Sequence, residues 1–299
     1  MSRCMVVTGG SGFVGGHVAA AALAAGWRVV NADLADVGPL DGVEFLALDI
    51  TDADAVSRAV AGAKPDAIIH CAAIGDVDAA ERAPELAQRV NVAGTDNLAR
   101  AAAQAGARLI ALSTSTIFDG VRGGYAEDDR PNPINVYGRT KVAAEEAVAR
   151  SAPASLIVRI SMAYGCPRTG GASFLTRVVE KLRAGEPTHQ PSDEFRTPVD
   201  VLTAADALLE LAASDVAGIL HVGGAERISR FDMAVRVARR LGADTALVVD
   251  TSGQSVPGRA PRPKDVSFNT DRARALLRTP LLDVDPGLAR AMADERSPQ

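Results

Sequence analysis

The chain is poor in cysteine and has no long apolar run. Three cysteines, Cys4, Cys71 and Cys166, are spread over 299 residues and cannot all pair, so no disulfide framework is expected. No stretch has the residue order of a signal peptide, and none reaches the roughly 18–20 apolar residues that span a bilayer. These absences predict a protein of the reducing cytoplasm that has no membrane partner.

Basic and aromatic residues are also scarce. Acidic side chains (37) outnumber basic ones (32), the net charge is −5, and aromatic residues make up 4% of the chain. A nucleic-acid-binding surface needs a basic footprint, so no nucleic-acid partner is expected. The four histidines have no metal-ligand spacing, so we expect no metal site. With 47% hydrophobic and 23% charged residues, the composition is typical of a globular protein.

The first two-thirds of the chain alternate short apolar runs with longer Ala- and Leu-rich stretches. The short runs predict strands at Arg3–Thr8, Arg28–Asp33, Glu44–Leu48, Ala67–Cys71, Arg108–Ser113 and Ser155–Ile160. Apolar spacings of three and four residues predict helices at His17–Ala25, Ala53–Ala61, Glu85–Ala105 and Val142–Arg150. Strand–helix–strand repetition requires crossovers between parallel strands, and continuously apolar strands indicate helices on both faces. The predicted class is α/β, with a doubly wound parallel sheet of the Rossmann type.

The pattern changes after about Tyr164, where loops rich in Gly, Pro, Thr and Asp begin. A helix at Ala204–Ala213 and a strand at Gly218–Val222 are predicted to return the chain to the sheet. Ser229–Leu241 is a further predicted helix, with Ser229 placed to cap it. The stretch Gln254–Lys264 contains three prolines.

These changes divide the chain into two predicted parts. We expect residues 1–164 and 195–222 to form a dinucleotide-binding domain. Residues 165–194 and 223–299 are expected to form a smaller substrate-binding lobe over the carboxyl ends of the strands.

A glycine-rich segment lies where the first predicted strand meets the first helix. Gly9, Gly12 and Gly15 recur at three-residue spacing in the segment Val6–Gly15. Glycine permits a tight turn and lets backbone N–H groups at a helix N-terminus approach a pyrophosphate. An ordinary strand–helix turn is the alternative, but the position in the first strand–helix unit favours a dinucleotide. The cofactor-binding candidates here are Gly9, Ser11, Gly12, Phe13, Val14 and Gly15.

Asp33 ends the second predicted strand. An acidic group at this position accepts hydrogen bonds from an adenosine ribose and repels a 2′-phosphate, and no Arg follows to bind that phosphate. NAD is therefore favoured, and NADP stays open. Asp49 and Ile50 end the third strand and are candidates for contact with adenine. The alternative for Asp49 is an ordinary loop or cap carboxylate.

Tyr137 and Lys141 are four residues apart at the start of a predicted helix and share one face of it. A nearby ammonium is expected to lower the pKa of the phenol, which prepares the tyrosine for proton transfer. The hydroxyl residues Ser113–Thr116 follow the fifth strand, at the sheet edge where doubly wound folds bind ligands. A Tyr–Lys spacing alone is a weak signal, but its combination with the glycine segment indicates an active site.

Several motifs together resemble the extended short-chain dehydrogenase/reductase superfamily, and within it the dTDP-4-dehydrorhamnose reductase family. The resemblance covers essentially the whole chain. The segments that carry it are Lys64–Ala73, Val77–Glu81, Asn91, Ser113–Gly120, Asn135–Lys141, Pro261–Lys264 and Asn269–Thr270.

This resemblance implies roles for individual residues. Tyr137 is the implied general acid, Lys141 tunes its pKa and anchors the nicotinamide ribose, and Thr114 orients the substrate carbonyl. Ser115 takes the place of Thr114 if the register differs by one residue. Asn91 is implied to organise a proton relay, although a hydrogen bond at a helix start is equally consistent with it.

The resemblance also implies the cofactor and substrate contacts. Cys71, Ala72 and Ala73 are expected beside the cofactor. Arg196 and Arg262 occupy positions where related nucleotide-sugar enzymes bind a diphosphate, and solvated surface charges are the alternative. Three departures leave the sugar open: Met162 stands where the family often has Trp, and Ser115 and Thr116 replace Asp and Tyr.

The predicted function is an NAD(P)H-dependent reductase of a keto group, a 4-keto group by preference, on a nucleotide-activated deoxysugar. Three alternatives stay open: an NAD-dependent nucleotide-sugar epimerase, a reductase of a small non-sugar ketone, and a non-catalytic NAD(P)-binding regulatory subunit. A homodimer formed through apolar helices such as Val142–Arg150 also stays open.

Overall fold

The computed structural model describes residues 2–169, 172–252 and 258–294. The first part of the proline-containing stretch predicted at 254–264, residues 254–257, lies outside these ranges. So do the last five residues of the predicted small lobe, 295–299.

Seven parallel strands form the central sheet, in the order β11-β6-β5-β4-β1-β2-β3. They are β1 (Cys4–Thr8), β2 (Arg28–Asp33), β3 (Glu44–Ala47), β4 (Ala67–His70), β5 (Arg108–Thr114), β6 (Leu156–Ile160) and β11 (Gly218–Val222). This arrangement confirms the six strands predicted in the first part of the chain and the predicted return of 218–222. The order reverses beside β1, which sets the carboxyl ends of β1 and β4 at a switch point where such sheets bind ligands.

Six short strands pair outside this sheet. They are β7 (Ala163–Tyr164), β8 (Thr188–Gln190), β9 (Phe195–Arg196), β10 (Val199–Asp200), β12 (Ile228–Ser229) and β13 (Val248–Asp250). The pairs are β10 with β7, β12 with β9, and β13 with β8. These pairs join segments of the chain that follow β6.

Eleven α-helices lie in the described ranges. They are α1 (Phe13–Ala24), α2 (Ala53–Ala63), α3 (Val77–Arg82), α4 (Pro84–Gln88), α5 (Thr95–Ala105), α6 (Val136–Ser151), α7 (Phe174–Arg183), α8 (Val201–Ala212), α9 (Arg230–Leu241), α10 (Asp271–Leu276) and α11 (Val284–Asp294). The predicted cap of α9 is confirmed, since the Ser229 hydroxyl accepts the Asp232 N–H at 2.9 Å.

Helices α1 and α8 begin earlier than predicted, at Phe13 and Val201 rather than at His17 and Ala204. Two other predicted helices differ more from the structure. The single helix predicted over 85–105 contains a π-helical turn, Arg89–Gly94, between α4 and α5. The helix predicted to start at Val142 starts at Val136, because the side chain of Asn135 accepts the Gly138 N–H at 2.8 Å and caps it. The earlier start places Tyr137 inside the first turn of α6.

The strands are apolar on both sides because each side packs on helices. In β1, Met5 and Val7 join a core that includes Leu208 of α8, whereas Val6 joins a core that includes Leu98 of α5. Period-two alternation thus sends neighbouring side chains of one strand into two different cores. The two-sided burial holds the carboxyl ends of β1, β4 and β5 in one rigid edge.

A further cluster of buried apolar residues lies apart from the two cores of the sheet. Leu175 of α7, Met233 of α9, Val248 of β13 and Leu288 of α11 are buried in one cluster. The apolar stripe of α9 and that of α7 face each other across this cluster, as expected of amphipathic helices. This core supports the part of the cleft wall that faces the sheet.

Candidate active site

A cleft lies at the carboxyl edge of the central sheet. It consists of two adjoining cavities of about 530 Å³ and 520 Å³, which share Gly9, Gly12, Cys71 and Ala73 in their walls. The larger cavity contains the predicted catalytic side chains, and the smaller one contains the predicted adenosine contacts. Two joined cavities suit an extended, two-part ligand better than a single small molecule.

The glycine segment forms the floor between the two cavities. Gly9 has a φ of +70°, and a Cβ on it would lie 2.6 Å from the backbone nitrogen of Ala72. A Cβ on Gly15 would collide with the carbonyl oxygen of Gly9. Helix α1 starts at Phe13 with no side-chain cap on its first turn. Its N–H groups therefore offer the kind of site that binds phosphate oxygens, and the segment fits a pyrophosphate.

Asp33 stands at the edge of the smaller cavity. Its carboxylate accepts the Ser11 N–H at 3.1 Å and the Leu34 N–H at 2.7 Å, which orients it against the glycine segment. Asp49 lines the same cavity and accepts the backbone N–H of Thr51 at 2.8 Å, so it is also the turn carboxylate of the alternative interpretation. The cavity wall also includes Ile50.

Apolar side chains that the sequence analysis did not select surround this cavity. Val37 (50% exposed) and Leu86 (42% exposed) border it, and Leu48 and Val90 complete the wall. Large apolar side chains at the surface mark binding sites when they cluster. A planar aromatic base fits such a slot. No local pattern identifies these residues, because they come from separate loops and helices.

Tyr137 and Lys141 lie on one face of α6, in the wall of the larger cavity. Thr114 lines the same cavity, and its hydroxyl donates to the Thr116 hydroxyl at 3.1 Å. Burial raises the pKa of Tyr137, and the neighbouring Thr114 hydroxyl opposes that rise. The expected lowering of this pKa by Lys141 is therefore wrong for this structure, in which burial has the larger effect. A raised pKa keeps the phenol protonated at neutral pH, as a proton donor requires.

Lys141 is buried, and its ammonium donates to the Leu112 carbonyl oxygen at 2.6 Å. Burial lowers the pKa of Lys141 to about 8, although the Glu145 carboxylate acts in the opposite direction. The ammonium is therefore directed at β5 and charged in the neutral range. Burial also raises the pKa of Cys71 to about 12, which makes its thiol an unreactive wall residue.

Glu145 continues the same face of α6 and was missed by the sequence analysis. Its carboxylate accepts two hydrogen bonds from Arg159, from Nε at 3.0 Å and from Nη2 at 2.7 Å, and a third from the Ser113 hydroxyl. Both ion-pair partners are buried, with side chains 9% and 2% exposed. The pair joins α6 to β5 and β6, so it holds the helix of Tyr137 against the strand of Thr114.

Asn91 lies in the π-helical turn and is fully buried. Its amide accepts the Ile74 N–H at 2.8 Å and donates to the Ile74 carbonyl and, at 3.0 Å, to the Thr140 hydroxyl. Thr140 in turn donates to the Tyr137 carbonyl at 2.8 Å. Asn91 therefore joins the loop after β4 to the helix that carries Tyr137.

The other predicted substrate contacts all lie in the wall of the larger cavity. Ser115 and Met162 contribute to it, but Arg196 and Arg262 are held by protein atoms. Arg196 donates to the carbonyl oxygens of residues 195, 263 and 264, and Arg262 donates to the Ala260 carbonyl and to Asp78 at 2.8 Å. Two further arginines, Arg177 and Arg230, also line the cavity and were not predicted.

Within 2–169, 172–252 and 258–294, no helix is long and apolar enough to cross a membrane. The same ranges contain no cluster of three or more His, Cys, Asp or Glu residues that could hold a metal ion.

Comparison with known proteins supplies the family. Residues 3–297 match the family described as the RmlD substrate binding domain. A dTDP-4-dehydrorhamnose reductase of Mycolicibacterium smegmatis is 36% identical, over 98% of this chain and 86% of that protein. Methionine adenosyltransferase 2 subunit beta of Rattus norvegicus is 28% identical, over 92% of this chain and 83% of that protein.

A solved structure agrees with these matches. The dTDP-4-dehydrorhamnose reductase of Bacillus anthracis, in complex with NADP, has a TM-score of 0.89 and 27% sequence identity to this chain. The alignment covers 98% of this chain and 100% of that one. With a family match over nearly the whole length and the same fold, the chain belongs to the RmlD substrate-binding-domain family, the family of the dTDP-4-dehydrorhamnose reductases.

Proposed function

We propose that the protein is an NAD(P)H-dependent reductase of a keto group, by preference a 4-keto group, on a nucleotide-activated deoxysugar. The observation that carries this proposal is the presence of Tyr137, Thr114 and Lys141 together in the wall of the larger cavity. The reductase names of the relatives support the same reaction class. The two-part cleft suits a dinucleotide on one side and a nucleotide-sugar on the other.

The cofactor-binding residues are those of the floor and the smaller cavity. The glycine segment fits a pyrophosphate, Asp33 fits the adenosine ribose, and Lys141 fits the nicotinamide ribose. The remaining wall residues in this set are Asp49, Ile50, Cys71, Ala72 and Ala73. A nicotinamide cofactor supplies the hydride when it is bound.

The side chains of α6 and β5 carry out the proton chemistry in this proposal. Thr114 donates a hydrogen bond to the substrate carbonyl oxygen, and Tyr137 donates its hydroxyl proton to the same oxygen as negative charge develops there. Lys141, whose ammonium donates to the Leu112 carbonyl, serves the nicotinamide ribose rather than the phenol. Asn91 is a positioning residue, because its amide contacts Ile74 and Thr140 rather than the cavity.

NAD is the preferred cofactor in this proposal. Asp33 supports NAD, because a second negative charge at a 2′-phosphate would be repelled by it. The Bacillus anthracis relative is in complex with NADP, so the cofactor preference of this chain requires a direct test.

The three cysteines, which form no disulfide, support a cytoplasmic location.

The test is oxidation of NADH and of NADPH with dTDP-4-dehydrorhamnose and with dTDP-4-keto-6-deoxyglucose. Tyr137→Phe should reduce kcat by about 10²–10⁴-fold and leave the Kd of the cofactor nearly unchanged. Tyr125→Phe is the matched control, because Tyr125 is a buried tyrosine outside the cleft that donates to Asp119. Turnover that survives in Tyr137→Phe would contradict the assignment of the acid.

A non-catalytic regulatory subunit is the second candidate function. The 28% identity to methionine adenosyltransferase 2 subunit beta favours it specifically. This candidate predicts cofactor binding without turnover of either keto-sugar, together with co-purification of a catalytic partner. An epimerase would instead retain NAD through purification and consume none. Release of the cofactor together with stoichiometric oxidation of NADH therefore distinguishes the reductase from the epimerase and from the regulatory subunit.

A further inference from the structure

The proline segment, Arg259–Lys264, forms part of the wall of the larger cavity, which Arg262 lines. Asp78 of α3 holds this segment: its carboxylate accepts the Ala260 N–H at 2.7 Å and a hydrogen bond from Arg262 at 2.8 Å. The two prolines of the segment fix their own φ angles, which limits the movement of the neighbouring carbonyl groups. The segment is therefore a stiff part of the wall that is fastened to α3.

One carbonyl group of the proline segment is bound by Asn135, the N-cap residue of α6. The amide nitrogen of Asn135 donates to the Pro261 carbonyl oxygen at 3.0 Å, and its amide oxygen accepts the Gly138 N–H at 2.8 Å. Asn135 is fully buried, so solvent does not reach either hydrogen bond. Because both bonds belong to one planar amide group, a displacement of the proline segment would rotate the group that caps α6 or leave its donor unpaired.

The first turn of α6 contains Tyr137 and lies close to the residues that follow β5. A Cβ on Gly138 would lie 2.5 Å from the Thr116 carbonyl oxygen. Thr116 donates its N–H to the Thr114 hydroxyl at 3.1 Å. The orientation of this turn therefore sets the position of Tyr137 relative to Thr114, the two residues on which the proposed proton transfer depends.

Helix α3 also holds the start of α6. Its Glu81 carboxylate accepts the Val136 N–H at 2.9 Å, whereas its Asp78 holds the proline segment. Two separate contacts thus reach this turn, one from Glu81 and one from the proline segment through Asn135. Loss of the Asn135 donor should therefore shift the turn rather than unfold it.

We propose that Asn135 is a positioning residue that couples the proline segment to Tyr137. The docked segment orients the Asn135 amide, the amide orients the first turn of α6, and this turn places the Tyr137 hydroxyl for proton transfer. A substrate in the larger cavity lies against both the segment and Tyr137, so its binding favours the arrangement in which the acid is in place. This inference rests on the proposed function, since it assumes that Tyr137 is the acid.

The experiment measures kcat and KM of Asn135→Ser with the keto-sugar that the unsubstituted protein reduces, dTDP-4-dehydrorhamnose or dTDP-4-keto-6-deoxyglucose. Serine keeps an oxygen that can cap α6 but lacks the amide donor to Pro261. We expect kcat to fall about 10- to 100-fold, because a small displacement of a reacting group has an effect of this size. The KM, the Kd of NADH and the midpoint of chemical denaturation should stay nearly unchanged.

Two further variants make this result specific. Asn135→Asp also keeps the cap and lacks the donor, so it should show the same selective loss of kcat. Asn269→Ser is the matched control, because Asn269 is an exposed asparagine that accepts the Asp271 N–H at the start of α10. Its kcat and KM should equal those of the unsubstituted protein.

Asp78→Ala tests the coupling from the other end of the proline segment. Loss of both Asp78 contacts should loosen the segment, which raises KM and, through Asn135, lowers kcat. In the Asn135→Ser background the same substitution should still raise KM but lower kcat little further. Equal effects of Asp78→Ala on kcat in both backgrounds would show that the two residues act independently, which would overturn the coupling.

The remaining outcomes separate this inference from the proposed function. An unchanged kcat in Asn135→Ser and Asn135→Asp would overturn this inference alone. A loss of kcat together with a weaker Kd of NADH and a lower denaturation midpoint would overturn it too, since these changes would indicate a general disruption of α6. Absence of turnover by the unsubstituted protein would overturn the proposed function, and this inference with it.

Discussion

The two sides of the cleft use different kinds of atoms. On the cofactor side, the pyrophosphate floor is built from backbone and small residues within one continuous segment, Val6–Gly15, although the wall of the smaller cavity draws on several segments. The substrate side is built from long charged side chains that come from separate segments, such as Arg177 on α7, Arg196 on β9 and Arg230 on α9. One side therefore depends on local chain geometry, and the other depends on how distant segments pack.

This difference determines how much each side of the cleft depends on the identity of its side chains. Backbone N–H groups at a helix N-terminus are independent of side-chain identity, provided that glycine leaves room for the ligand. Side-chain cations can be exchanged one at a time while the fold is retained. We therefore expect substitutions on the cofactor side to act through backbone position, and those on the substrate side to act through charge.

The largest effect is expected at the Glu145–Arg159 ion pair, which joins α6 to the sheet. Glu145→Gln leaves the buried Arg159 without its carboxylate, so the free energy of unfolding should fall by about 3–5 kcal/mol. Chemical denaturation measures this change. Glu146→Gln is the control, because Glu146 is the exposed neighbour on the same helix. A loss below about 1 kcal/mol for Glu145→Gln would mean that this pair does not hold the two sides together.

A smaller effect is expected from a methyl group on the cofactor side. Gly15→Ala forces its Cβ against the Gly9 carbonyl oxygen, and such overpacking costs about 1–3 kcal/mol. The Kd of NADH should rise about 5- to 150-fold, as fluorescence titration can measure. Gly62→Ala, in open space on α2, should leave that Kd unchanged. An unchanged Kd of NADH in Gly15→Ala would contradict the view that the cofactor side depends on backbone geometry and the substrate side on charge.

The pH dependence of kcat/KM in the unsubstituted protein should reveal the titration of Lys141. The pKa of Lys141 is about 8, so its ammonium is present below that pH and is lost as the pH rises through it. We expect kcat/KM to fall above about pH 8, by up to tenfold per pH unit. In Glu145→Gln this limb should move to lower pH, because the Glu145 carboxylate raises the pKa of Lys141. A limb that stays in place would contradict this coupling.

The smallest effect is expected at Asp33, where the cofactor side does use charge. Asp33→Asn removes the repulsion of a 2′-phosphate and should shift the ratio of NADH to NADPH efficiency by about tenfold toward NADPH, or 1.4 kcal/mol. Steady-state kinetics with both cofactors measures the ratio. Asp36→Asn is an equal change of charge at an exposed neighbour that does not line the cavity. Equal shifts in both variants would indicate general electrostatics rather than contact with the ribose.

The parts of the site that could be predicted from the sequence are those encoded by contiguous residues. The glycine segment and the Tyr137–Lys141 spacing each lie within one turn or one strand–helix unit, so local geometry determines their arrangement. Glu145 carried the same signal, because it follows Lys141 by four residues just as Lys141 follows Tyr137. It was missed because a glutamate on a helix is usually solvated, and only its packing against β6 brings Arg159 to it.

The substrate side could not be predicted in the same way. Arg196 and Arg262 were selected by resemblance, and they do lie in the cavity wall. Whether an arginine is held by protein atoms depends on the backbone carbonyls around it, and these come from segments almost 70 residues apart, such as 195–196 and 263–264. Arg177 and Arg230 have no local pattern that distinguishes them from surface arginines. Their place in the cavity wall depends on tertiary packing, which no periodicity records.

The π-helical turn at Arg89–Gly94 has a consequence for the permitted length of this segment. An α-helix rotates by about 100° per residue, and a π-turn accommodates an additional residue without breaking the helix. Asn91 can therefore face Ile74 while Leu98, later in the same helical run, faces the sheet. Deleting one residue here would restore a regular helix but change the rotational phase between these two side chains. The shortened segment could keep either the hydrogen bond of Asn91 with Ile74 or the burial of Leu98, but not both. A single-residue deletion should therefore be less tolerated here than in a regular helix.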